Sequence, residues 1–170
     1  MNPHTLRLAA IDDAETLVDL HLACWREAYA GLLSEETIEA VFADRVAAVA
    51  HRRERLSVTD RPTWVAETAG ERGAEMVGFA TAGPARHPDP PTPLELYALY
   101  ARAAWWGTGV GRSLLTASVG GVAAYLWVLD GNDRAIGFYR RHGFDLDGAT
   151  EAHPEGRHLR MVRADQGRAD

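Results

Sequence analysis

The run from Glu95 to Leu115 constrains this chain more than any other stretch. The apolar, aromatic-rich segment Glu95-Leu96-Tyr97-Ala98-Leu99-Tyr100-Ala101 passes through a short link into Trp106-Gly107-Thr108-Gly109-Val110-Gly111-Arg112, and then into Ser113-Leu114-Leu115. That order predicts a strand, a glycine turn and a helix in immediate succession. Three glycines at alternate positions let successive backbone N–H groups converge without an intervening Cβ. The N-terminus of the following helix adds its positive dipole end, so the turn suits an anion, phosphate above all. Glycines at such a junction also serve plain tight packing, and this stretch alone leaves both readings open.

At 170 residues the chain suits a single domain, 1–165, followed by a frayed tail, 166–170. Hydrophobic residues at 46% and charged residues at 25% are ordinary for a globular protein. A formal net charge of −6 argues against a nucleic-acid backbone as partner and favours a cationic one. All 18 basic residues are arginine, which excludes any lysine-based mechanism. Cys24 is the single cysteine, so no intramolecular disulfide forms, and a reduced, cytoplasmic setting is the simplest reading. No run is long and apolar enough to span a membrane or serve as a signal peptide.

Taken in order, Thr5 to Ala10 predicts a first strand, and Asp12 with Glu15 has capping-box spacing for a helix whose apolar face carries Leu17, Val18, His21, Cys24 and Trp25. Ser34 starts a second helix, a break falls near Asp44, and within the basic stretch Arg45–Arg55 that follows the run His51-Arg52-Arg53-Glu54-Arg55 reads as a solvated face. Thr63–Thr68 and Met76–Ala82 predict a hairpin, followed by an extended proline-rich loop, 84–93. The strand Leu94–Ala101, the glycine turn and a helix to Val119 come next. Ala124–Leu129 is continuously apolar, as a strand buried on both faces would be. Asn132 can cap a helix Asp133–Arg141, and Phe144–Ala149 and His158–Arg163 predict two last strands. The expected fold is mixed α/β, with strand–helix–strand units in its second half.

The pattern Leu99-Tyr100-Ala101, the Trp106–Gly111 turn, Asn132-x-x-Ala135-x-x-Phe138-Tyr139 and His142-Gly143-Phe144 resembles the GNAT superfamily of acetyl-CoA-dependent N-acetyltransferases. The segment from Cys24 to Leu33 resembles one bacterial branch of it. The resemblance implies a central, largely antiparallel sheet of about seven strands flanked by helices, with splayed parallel central strands. It also implies acetyl-CoA as co-substrate and direct attack by an amine acceptor. Family members often pair as dimers, so a homodimer is compatible.

By the same resemblance, the backbone of Gly107, Thr108, Gly109, Val110, Gly111 and Arg112 cradles the coenzyme's pyrophosphate. Trp106 stands where the family often has Gln or Arg, which leaves Arg112 or Arg102 for any side-chain help. Main-chain groups of Leu99, Tyr100 and Ala101 face the pantetheine arm, Asn132 and Phe138 border the cofactor, and Tyr139 protonates the departing thiolate. Trp25, Tyr29 and the loops 84–93 and 150–157 line the acceptor side.

An alkyl ammonium must lose a proton before it attacks a thioester, so a base with a near-neutral pKa helps. Glu95 is an unusual residue between Leu94 and Leu96 on a central strand, and some family members place a glutamate at this offset. It is the candidate base or water relay; Asp130 is the rival, with turn chemistry as its plainer reading. Gly137 inside the last helix suggests a close approach there. Cys24 and His21 read as core. His153 and His158 have metal-like spacing, yet no third ligand is evident, and no metal site is expected. Two other classes remain: a non-catalytic acyl-CoA-binding regulatory module, and a nucleotide-binding protein using the glycine turn for a different phosphate.

Overall fold

The structure, a computed structural model, describes residues 4–71 and 73–165; the expected frayed tail lies outside these. Seven strands form one sheet, β1 (Thr5–Leu8), β2 (Thr63–Gly70), β3 (Gly73–Pro84), β4 (Leu94–Ala101), β5 (Ala124–Leu129), β6 (Asp145–His153) and β7 (Gly156–Arg163). Their order is β1-β2-β3-β4-β5-β7-β6, and every neighbouring pair is antiparallel except β4–β5. This is the mixed, largely antiparallel sheet expected.

Among the described residues five α-helices flank it: α1 (Ala14–Ala28), α2 (Glu35–Val41), α3 (Arg45–Leu56), α4 (Val110–Val119) and α5 (Asp133–Arg140). Alternation along β2 and β3 assigns the two faces, with a bulge opposite Ala66 and Glu67 that sets Val77 and Phe79 on opposite sides. Val65 and Phe79 pack with Leu17, Leu20 and Cys24 of α1, whereas Ala66, Val77 and Ala80 pack with Leu114 and Leu115 of α4. Full burial of a leucine such as Leu114 contributes about 1.5–3 kcal/mol.

Side chains set the helix starts. Ser34 accepts from the Thr37 N–H at 3.1 Å, Asp44 from Ala47 at 2.9 Å and Asn132 from Ala135 at 3.2 Å. The Asp12–Glu15 capping box does not form. Asp13 instead accepts from the Ala10 N–H at 2.7 Å and pairs with Arg7 at 2.6 Å, because a single 3-10 turn, Ile11–Asp13, precedes α1. The last two strands run longer than expected and meet at Pro154-Glu155, so the anticipated 150–157 loop is mostly hairpin. Among the described residues no helix is long and apolar enough to cross a membrane.

The basic stretch 45–55 departs most from expectation. It is helix α3, it buries Val49 against Ala14 and Val18 of α1, and it turns Arg52 and Arg55 inward rather than into solvent.

Candidate functional site

Parallel pairing of β4 with β5 is confined to Glu95 opposite Tyr125 and Leu96 opposite Leu126. Beyond that point the strands part, and the main chain from Tyr97 to Ala101 borders a cavity where its neighbour's ladder would otherwise run. Trp105, Trp106, Gly111, Asn132, Phe138 and Tyr139 complete its walls.

The glycine turn sits at the mouth of this cavity. Gly107 (φ 77°) and Gly109 (φ 99°) are left-handed, a conformation that a side chain strains, while a Cβ on either would meet nothing within 4 Å. The backbone path, rather than space, requires glycine there. Gly111 is the opposite case: a Cβ would lie 3.2 Å from the Phe138 ring, so glycine lets α4 and α5 close together. Gly109 caps α4 without any side-chain acceptor, which leaves the first N–H groups of the helix for an anion. Trp106 donates its indole N–H to the Ala101 carbonyl at 2.9 Å, and the Arg134 guanidinium stacks 3.8 Å from its ring centroid. Burial lowers the pKa of Arg134, which has no carboxylate partner among the described residues.

A second cavity lies across β4, bounded by α1, α3, the proline-rich loop and the β6–β7 hairpin. The two cavities share Tyr29, Tyr97, Ala98, Tyr100 and Trp127, so they meet where the strands part. At that junction the Tyr29 and Tyr100 hydroxyls lie 3.1 Å apart. Burial raises the pKa of Tyr29, Tyr100 and Tyr139 alike, keeping all three protonated at neutral pH.

Glu95 is 3% exposed and faces the second cavity. Its carboxylate accepts from the Arg86 backbone N–H at 2.9 Å, the Arg86 guanidinium at 2.7 Å and the Tyr125 hydroxyl at 2.9 Å. Burial pulls its pKa upward, but the Arg86 contacts and the Tyr125 hydroxyl outweigh that and hold it below the ordinary carboxylate value. These partners hold Glu95 as a carboxylate anion, the form that either a base or a water relay at this position requires.

With this geometry in view, the comparisons decide the family. The model of the "Acetyltransferase (GNAT) family" matches residues 15–144. The chain belongs to the GNAT acetyltransferase family. A probable N-acetyltransferase of Mycobacterium tuberculosis is 25% identical over 156 residues, covering 88% of this chain and 86% of that protein. Among solved structures, the PaiA N-acetyltransferase of Thermoplasma acidophilum in complex with coenzyme A superposes with a TM-score of 0.72 at 22% identity, over 95% of this chain and 99% of that one. The Arabidopsis thaliana NAA60 structure, in complex with a bisubstrate analogue, does so with a TM-score of 0.67 at 16% identity, over 95% and 98%.

In this GNAT chain the expected site residues do not all converge. Leu99, Tyr100, Ala101, Trp106, Gly111, Asn132, Phe138 and Tyr139 border the first cavity, with Gly107, Thr108, Gly109, Val110 and Arg112 in the adjoining turn and helix start. Trp25 and Tyr29 line the second. Asp130 lines neither and is ion-paired with Arg157 at the surface. Arg102 pairs with Glu27 at 2.8 Å, and the Arg112 side chain turns to a separate depression beside Arg141 and Arg163. A Cβ on Gly137 would meet only the end of Arg141, at 3.5 Å, so no protein neighbour demands that glycine.

Cys24 is core, its thiol pushed up to about 12 by burial. His153 and His158 do have a third possible ligand, contrary to expectation: Glu155 in the hairpin turn, with donor atoms of all three within 4.8 Å of one another. Sequence reasoning missed Arg134, which precedes the capped turn's first apolar residue, and missed Arg52 and Arg55 in the second cavity; Arg86 comes from the 84–93 loop expected there, without having been singled out.

Proposed function

We propose that this GNAT protein transfers the acetyl group of acetyl-CoA directly to a primary amine within a ternary complex. The observation that carries the proposal is the meeting of two cavities at the β4–β5 splay, one opening at the glycine turn and one holding Glu95. The coenzyme and the bisubstrate analogue bound by the two structural relatives support the same reading.

Acetyl-CoA supplies a thioester whose carbonyl an amine can attack. The free N–H groups at the start of α4 hold its pyrophosphate, with Arg134 and the Trp106 face adding positive charge and a flat wall. The main chain of Leu99–Ala101, released from β5, pairs with the amides of the pantetheine arm, and an N–H there stabilises the developing oxyanion. Tyr139, kept protonated by burial, gives its proton to the departing sulfur. The attacking nitrogen forms the amide bond as the carbon–sulfur bond breaks. The proton it releases balances the one Tyr139 supplies.

Glu95 acts as a fixed anion rather than a strong base. It orders water and attracts the ammonium, which loses its proton to solvent. The two-substrate rate pattern tests this scheme. Release of free thiol, measured with both acetyl-CoA and amine varied, gives intersecting reciprocal plots for a ternary complex. Parallel plots, the sign of an acyl-enzyme, contradict it.

A further inference from the structure

We propose that the acceptor is a small amine that also carries a carboxylate, an amino acid, and that Arg52 and Arg55 bind that carboxylate; this rests on the transfer reading above. The chain holds 24 acidic residues against 18 arginines, so acids are in excess. Accordingly Arg7, Arg26, Arg45, Arg86, Arg102, Arg157 and Arg160 each pair with a carboxylate. Arg52 and Arg55 are half-buried on the wall of the second cavity and have no acidic partner among the described residues.

Arg52 donates to His21 Nδ1 at 3.1 Å and lies 5.3 Å from the Phe79 ring centroid, which fixes the guanidinium without neutralising it. Burial, with Arg52 and Arg55 nearby, pushes His21 down to about 3, so it stays neutral and offers no counter-charge. Its Nε2 is buried with no partner among the described residues, and the residue lines the same cavity. Burial first, then the neighbouring cations Arg86 and Arg61, lowers the pKa of Arg55 as well. Half-buried cations without anions are costly, and a ligand carboxylate removes the cost through charge-assisted, bidentate hydrogen bonds.

Position favours a compact molecule. The His21 ring lies 4.9 Å from the Tyr100 ring, and Tyr100 borders both cavities, so Arg52, bonded to His21, is one aromatic ring from the junction where the amine must react. Glu151 and Glu155, on the β6–β7 hairpin, also line this cavity. Such a cavity complements a zwitterion and disfavours a polycation.

The test uses full-length protein loaded with coenzyme A for binding and with acetyl-CoA for turnover. The probes are the twenty standard L-amino acids, their carboxamides and their decarboxylated amines. The expected result is at least one amino acid bound and acetylated with kcat/KM 10-fold or more above its carboxamide. Arg55→Gln and Arg52→Gln should then raise KM for that amino acid 10-fold or more, leave the carboxamide unchanged and leave coenzyme affinity unchanged. Equal or better use of carboxamides or decarboxylated amines overturns the proposal, as does failure of every amino acid to bind. Carboxylate-dependent binding without acetylation upholds the arginine site and overturns the transfer reading instead. Should Arg52→Gln unfold, Arg55→Gln, which disturbs no hydrogen bond to His21, decides the matter.

Discussion

Glu95 and Tyr125 face each other as the first pair of the parallel β4–β5 ladder, and the Tyr125 hydroxyl donates to the Glu95 carboxylate at 2.9 Å. The ladder ends with the next pair, Leu96 opposite Leu126. The bond therefore ties the two strands together at the base of the gap they open, and it fixes a negative charge below that gap.

This relationship predicts the acid sensitivity of the fold. The folded-state pKa of Glu95 is depressed, so its contribution is fully present above the unfolded value, about 4.3, and is lost as pH falls through the folded value. Glu95→Gln should cost about 1–3 kcal/mol at pH 7 by urea unfolding, through its lost charged hydrogen bonds. The difference from wild type should shrink below pH 4.

The same environment predicts the pH dependence of the rate. With Glu95 already ionised well below neutrality, no ionisation of that residue should appear between pH 6 and 8. The thiol-release rate should rise through this range and beyond, following the free-amine fraction of the acceptor. A plateau set by a group near pH 7, and removed by Glu95→Gln, would restore Glu95 as a proton acceptor.

Tyr139→Phe separates chemistry from binding. The ring remains to pack against Phe144 and Phe138, so affinity for acetyl-CoA should hold while kcat falls about 10²-fold, the low end of general-acid effects. Titration and initial rates on the same preparation check both halves.

Arg134→Gln removes the charge stacked on Trp106 at the first cavity, the one proposed to receive the coenzyme. Loss of the stacking and of one positive charge should weaken coenzyme binding by about 1–2 kcal/mol, roughly 5- to 30-fold, with thermal stability nearly unchanged.

Much of this architecture is visible in the residues. The strand–glycine–helix run gives β4, the turn and α4, and the caps Ser34 and Asn132 mark the helices they begin. Arg52 is harder to see. It falls three residues after Val49 and four before Leu56, on the apolar face of α3, but the run His51-Arg52-Arg53-Glu54-Arg55 masks that period. Arg86 reaches Glu95 from an irregular proline-rich loop, whose path no periodicity encodes. Asp130 shows the reverse: it is conspicuous beside the buried strand β5, and Arg157 from the distant hairpin takes it away from the site.

The central claim is that the glycine turn and the β4–β5 gap receive acetyl-CoA. Isothermal titration of the wild type beside Gly109→Glu tests it most directly, because the variant places a strained, negatively charged residue at a φ of 99° in the anion site. Circular dichroism would confirm that the variant folds. Micromolar binding by the wild type that disappears in folded Gly109→Glu is the predicted result. Absence of binding in the wild type, or equal binding by both proteins, would contradict it.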